Sequence, residues 1–195
     1  METPIINNIS ELLKCILNYE PYLIKYIMEF IFIPCSGGNY EYIKALPKKG
    51  TTSIYKDMFS RNLKMIKIDF SVKSIEDFTF FDCKELNTIT IPNTVKKIGR
   101  CAFFGCTALK SVTIPQLVTE IEEYVFYKCT GLKTLIIPES VTEIGSYAFD
   151  GCNKLTTVKI PDSLTSIGRY AFYRCTSLNE ETKQLIRNKG YTIKF

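Results

Sequence analysis

Leu155-Thr156-Thr157-Val158-Lys159-Ile160-Pro161-Asp162-Ser163-Leu164-Thr165-Ser166-Ile167-Gly168-Arg169-Tyr170-Ala171-Phe172-Tyr173-Arg174-Cys175-Thr176-Ser177 states the rule that the preceding chain repeats. Pro161 is the last of four prolines, with Pro92, Pro115 and Pro138, spaced 23 residues apart. Cys175 closes a series of the same interval through Cys83, Cys106, Cys129 and Cys152. Phe80, Phe103, Phe126, Phe149 and Phe172 keep step, as do Leu86, Leu109, Leu132, Leu155 and Leu178, and Ile75, Ile98, Ile121, Ile144 and Ile167. Independent series with one interval identify a stack of like coils, a solenoid.

Within a coil, the alternation Leu86, Ile89, Ile91 predicts a short strand with its apolar side chains inward. Pro92 ends it, because proline has no N–H to give a neighbouring strand. A second extended piece is expected over Val95–Ile98, and the small Ala102, Ala148 and Ala171 predict a tight corner where each phenylalanine enters the core. Glu76 and Glu122 replace the glycine found at 99, 145 and 168, so that position is not expected to require a positive φ. The apolar side chains of one coil cannot offset the ordering of its backbone, so stability must arise between coils and the end coils must be covered.

Leu63, Ile66, Ile68, Val72 and Ile75 keep the pattern upstream, but Asp69 replaces the proline and Ser60 the cysteine. Residues 1–50 differ in texture: Ser10 can cap a helix through Leu12, Leu13, Ile16 and Leu17, ending at Pro21, with a second apolar segment over Leu23–Ile33. Downstream, Glu181 and Lys183 stop the repeat, Asn179–Asn188 reads as a short helix stopped near Gly190, and Tyr191–Phe195 is expected to add a closing strand. The organisation is one compact unit: a partly helical cap over 1–50, a solenoid over 51–178 and a second cap over 179–195.

The charge of +5 over 195 residues is modest, and the basic residues are interleaved with acids, which argues against nucleic acid as a partner. Tyr22–Pro34 is too short to span a membrane and contains Lys25 and Glu29, so no membrane insertion is expected. Met1-Glu2-Thr3-Pro4 does not resemble a basic secretory start, and a cytoplasmic location is the expectation from the chain as given. The repeat cysteines have matching neighbours above and below instead of one designated partner, which favours buried free thiols over disulfides. With no histidine and no Cys-x-x-Cys pair, neither a metal nor a cofactor is expected, and most nucleophilic mechanisms lack a base. Glu120, Glu122, Glu123, Glu139 and Glu143 gather in consecutive coils, but Lys97 beside Glu120 and Arg100 beside Glu123 make a ladder of opposite charges the simpler account.

Alternation places Met65, Lys67, Thr88, Thr90, Ser111, Thr113, Thr134, Ile136, Thr157 and Lys159 on one exposed sheet face. Threonine suits an exposed strand in any case, and a hydroxyl-rich partner-binding face is the functional alternative. Tyr124, Tyr147 and Tyr170, in register with Phe78 and Cys101, form a second stripe that either stacks between coils or offers an aromatic contact surface.

The run Ile160-Pro161-x-x-Leu164-Thr165-x-Ile167-Gly168-x-x-Ala171-Phe172-x-x-Cys175-x-x-Leu178 resembles the repeat of the BspA-like leucine-rich repeat family, over residues 63–178. The resemblance implies a right-handed leucine-rich repeat solenoid, mostly β, with a parallel sheet along its concave side and no catalytic residues. It also implies adhesion or binding of a protein partner, in many members at the cell surface. The functional expectation is a non-enzymatic protein-binding module using the concave strand face. Its rival is a cell-surface adhesin or structural subunit that joins copies through its terminal edges.

Overall fold

The computed structural model describes residues 42–45, 52–54 and 63–195. The expected helices within residues 1–41 lie outside the described residues. Each coil supplies two short strands and one turn segment. The first strands are β1 (Tyr42–Ala45), β3 (Met65–Ile68), β5 (Thr88–Thr90), β7 (Ser111–Thr113), β9 (Thr134–Ile136) and β11 (Thr157–Lys159). The second strands are β2 (Ser53–Ile54), β4 (Ser74–Ile75), β6 (Lys97–Ile98), β8 (Glu120–Ile121), β10 (Glu143–Ile144) and β12 (Ser166–Ile167). The second extended piece is therefore shorter than the Val95–Ile98 read from the sequence. All pairings are parallel, as stacked coils require.

Within the partly helical cap expected over 1–50, residues 42–45 form β1, which pairs with the first strand of the next coil. Tyr42 pairs with Met65 and Ala45 with Ile68, whereas Ser53 of β2 pairs with Ser74. The first offset is one full period and the second is two residues short, so the coil is present but its sequence has slipped out of the repeat.

The core is a set of columns running through the stack. Phe80, Phe103, Phe126, Phe149 and Phe172 are fully buried. Their rings follow one another at 5.1, 5.3, 5.5 and 5.2 Å between centroids. Coil spacing set by ladder hydrogen bonds, about 4.8 Å, matches the distance at which offset rings stack, so backbone and side chains agree on one rise. The cysteines do more than fill space. The S–H of Cys106, Cys129, Cys152 and Cys175 donates to the carbonyl of the phenylalanine in the coil before, at 3.2, 3.1, 3.2 and 3.1 Å. These thiols are unoxidised and buried.

The turn segment works by a left-handed backbone repeated in each of the five coils whose turn is described. Phe78, Cys101, Tyr124, Tyr147 and Tyr170 have φ between 55° and 59°, and Asp82, Gly105, Lys128, Gly151 and Arg174 recur in the same region four residues on. This conformation costs a non-glycine residue about 1–2 kcal/mol. It is held because it aims alternate N–H groups along the stack: Phe103 donates to the Val125 carbonyl at 2.9 Å and Gly105 to that of Tyr127 at 2.8 Å. By contrast, Gly99, Gly145 and Gly168 have no positive φ. A Cβ on Gly145 would stand 2.7 Å from the Glu123 nitrogen, so glycine serves close approach of coils there.

One junction departs from the repeat. The strands form four three-stranded sheets, β1-β3-β5, β7-β9-β11, β2-β4-β6 and β8-β10-β12, so both ladders are interrupted between the Pro92 coil and the Pro115 coil. Elsewhere Gly99, Gly145 and Gly168 donate to the isoleucine carbonyl one coil back at 2.8, 2.7 and 2.6 Å, but Glu122 makes no such bond to Ile98. Glutamate is not the cause by itself, since Glu76 makes its bond to Ile54 at 2.9 Å. This junction also carries Leu117. The hydroxyls of Thr94, Ser140 and Ser163, which hold its position in other coils, donate to the Val72, Val118 and Val141 carbonyls at 2.8, 2.6 and 2.8 Å. Leucine has nothing to donate and is 48% exposed.

Residues 179–195 cover the last coil. Helix α1 (Glu180–Asn188) starts at Asn179, whose side chain accepts from the Thr182 N–H at 2.8 Å. Ile186 and Thr182 are its buried contacts. The expected strand over 191–195 does not form. Tyr191 instead turns its ring edge-on to Phe172, at 5.9 Å, and its hydroxyl accepts the Phe172 N–H at 3.2 Å. A phenol thus replaces the carbonyl that a further coil would bring.

Two expectations follow. Leu117→Ser supplies the missing donor and should raise the unfolding free energy by about 0.5–1.5 kcal/mol, with slower amide exchange at Thr119 and Glu122; unchanged exchange there would refute the account. Burial pushes the Cys129 and Cys152 thiols well up, and that of Cys175 to about 12. A folded pKa above the unfolded one means stability is full below about pH 8.5 and is lost as pH rises beyond it. Urea midpoints should fall accordingly, and native repeat cysteines should resist alkylation at about pH 8.

Candidate interaction surface

The surface divides into three long strips, one for each part of the coil. On the first-strand face every residue singled out from the sequence points outward. Met65 is 37% exposed and Ile136 57%. Lys67, Thr88, Thr90, Ser111, Thr113, Thr134, Thr157 and Lys159 are exposed as well. Register draws them into two columns. Met65 faces Thr88 and Lys67 faces Thr90; across the second sheet, Ser111, Thr134 and Thr157 align, as do Thr113, Ile136 and Lys159. The gap between β5 and β7 interrupts both columns, which the uniform spacing did not foretell.

The second-strand strip is acidic and largely self-compensated. Arg100 meets Glu123 at 3.4 Å, as expected, while Lys97 turns to Glu122 at 3.9 Å in place of Glu120. Glu120 stands beside Glu143 in the ladder. Desolvation first, then Glu122 and Glu143, push its carboxyl up. No group of histidine, cysteine or acidic side chains suited to a metal ion occurs among the described residues.

The turn strip is aromatic. Tyr124, Tyr147 and Tyr170 stack at 4.9 and 5.1 Å, and an outer column of Phe81, Phe104 and Tyr127 stacks at 4.7 Å in both steps. The rings cover one another's faces, and Arg100 and Arg169 lie over Tyr124 and Tyr170 at 5.4 and 4.8 Å. Stacking between coils uses this stripe up, leaving ring edges for any partner.

Asp150 escaped the sequence reading. It occupies the outer aromatic column between Tyr127 and Tyr173, yet its side chain is only 3% exposed. Arg174 reaches back across the vacated place and donates to both carboxylate oxygens at 2.8 Å, with a longer contact of 3.4 Å to the Tyr127 hydroxyl. The available signal was a polar residue in an otherwise aromatic series, with an arginine 24 residues later.

Comparison with known proteins agrees with this geometry. A family model described as BspA type leucine rich repeat region matches residues 52–179 in 6 copies. The structure is similar to a leucine rich repeat protein of T. pallidum, at 25% identity and a TM-score of 0.63 over 79% of this chain and 90% of that one. It is also similar to a leucine rich cell surface protein of Faecalibacterium prausnitzii A2-165, at 36% identity and a TM-score of 0.62 over 65% of this chain and 34% of that one. The pneumococcal vaccine antigen PcpA shares the fold, at 23% identity and a TM-score of 0.53 over 66% and 32% of the two chains. The chain thus spans about a third of the length of the last two. No curated protein is a significant match.

The Asp150–Arg174 pair gives a stability test. Arg174→Leu leaves a buried carboxylate without its counter-ion and should cost about 2–4 kcal/mol, somewhat less than a fully buried pair because the arginine is half exposed. Asp150→Tyr with Arg174→Gly restores the aromatic column and should return the urea midpoint close to that of the parent. A double variant as weak as the single one would contradict this.

Proposed function

The chain belongs to the BspA-type leucine-rich repeat family, and on that premise we propose that it is a non-enzymatic protein-binding module whose first-strand face receives a protein partner. The observation that carries this reading is the state of that face. The ten outward side chains from Met65 to Lys159 are exposed, they stand in register within each of the two sheets on rungs fixed by the core, and they are not consumed by stacking as the aromatic strip is. A face ordered in advance loses little conformational freedom on association, which favours binding without any rearrangement. The absence of histidine from the sequence leaves an acid–base mechanism without its commonest participant, consistent with a binding role.

We also place the module at a cell surface. This rests on its 36% identity to a protein described as a leucine rich cell surface protein. Among the described residues no helix is long and apolar enough to cross a membrane.

Thr113→Tyr with Thr134→Tyr adds bulk without charge at the centre of the face, using a residue that strands accept. Capture of partners on immobilised protein should fall by about tenfold, equivalent to about 1.4 kcal/mol, while the urea midpoint stays put. Undiminished capture by a folded variant would sink the reading.

A further inference from the structure

We infer that the segment received by the first-strand face is acidic and carries an aliphatic side chain, a choice of partner class that rests on the reading above. The charge of this face is one-sided. Lys67 and Lys159 lie in the outward columns, and Lys64, Lys110 and Lys133 form a further column immediately before the strands. Lys110 and Lys133 sit on successive rungs, since the Lys133 N–H donates to the Lys110 carbonyl at 3.1 Å. Lys67, Lys110 and Lys133 have no ion pair among the described residues, and Lys159 has only a loose one to Glu139 at 3.9 Å. Glu85 is the one acid among the described residues of the first strands and the three residues before each.

The contrast with the second-strand strip is the argument. There, Lys97 and Arg100 are answered by glutamates in the next coil. On the first-strand face Lys110 and Lys133 occupy neighbouring rungs with no ion pair among the described residues, an arrangement that works against the sheet and that an anionic partner reverses. The threonine and serine hydroxyls between the lysines can donate to carboxylates. Asp69, in the place of a proline, and Glu139 and Asp162, just beyond the prolines, stand at the opposite rim, so the acids of the partner are drawn to the side where the strands begin.

Ile136 selects the kind of polyanion. It is 57% exposed and lies in register between Thr113 and Lys159. A sulfated polysaccharide or a nucleic acid brings no aliphatic side chain to such a spot, and from Met65 to Lys159 the outward columns hold no aromatic ring on which a base could stack. A polypeptide brings both charges and an apolar anchor.

The probe is a short fluorescein-labelled polyglutamate peptide with one central isoleucine, compared with its polyglutamine counterpart and with heparin, by fluorescence anisotropy at low salt. The glutamate peptide should bind about tenfold more tightly than the glutamine peptide, an advantage that salt removes. Lys110→Gln with Lys133→Gln should abolish that advantage, and Ile136→Ser should weaken binding of both peptides. Equal binding of the two peptides, indifference to the lysine substitutions, or retention of heparin without peptide binding would each overturn the inference. If Thr113→Tyr with Thr134→Tyr loses its captured partners while Lys110→Gln with Lys133→Gln keeps them, only the acidic character fails. If neither pair changes capture, the binding face itself is wrong.

Discussion

Everything in this molecule depends on backbone hydrogen bonds that leave one coil and end on the next, drawn to a single spacing by the phenylalanine column. The turn segment hands its N–H groups forward, from Phe78 to Arg100, from Phe103 to Val125, from Tyr124 to Ser146 and from Phe149 to Ala171. The buried rings hold the same rise. Neither system suffices alone. Unpaired buried amides are costly, and rings without a fixed backbone do not keep register.

The residues that repeat most strictly are those this transfer requires. Cysteine fits because it is small, apolar and able to donate weakly to a carbonyl that already accepts the N–H of the cysteine in its own coil. Left-handed tyrosines are tolerated because stacking and forward hydrogen bonds outweigh the local strain. The exceptions are equally instructive. Leu117 removes one tie and coincides with the place where both ladders part, yet the turn-segment bonds and the Phe103–Phe126 contact continue across it. Asp150 removes a ring, and Arg174 closes the gap with a buried ion pair.

Because stability is supplied from the core and the turn segment, the first-strand face is free to vary. Its outward positions run through methionine, lysine, threonine, serine and isoleucine with no loss of the rung beneath. The aromatic strip has less freedom, since most of its rings are already partners of one another and the exception at Asp150 needs Arg174 to close the gap. That division of labour is the reason we propose the sheet face, rather than the more conspicuous aromatic stripe, as the place for recognition.

The sequence by itself determined the period, the strands, the inward residues and the outward face, because a solenoid maps one dimension of sequence directly onto one dimension of space. It also indicated that the glycines at 99, 145 and 168 are not needed for φ, since glutamate can replace them. Only the tertiary structure decided what depends on one coil meeting another. The left-handed turns are occupied by aromatic, cysteine, aspartate, lysine and arginine residues as well as by Gly105 and Gly151, so no residue type announces them. The early coil at β1 and β2 is two residues short in its second half and hides from a fixed interval. The parting at Leu117, the Asp150–Arg174 pair and the capping phenol of Tyr191 each satisfy or withhold a bond across a junction. A list of residues within one coil cannot show whether the next coil brings the matching group.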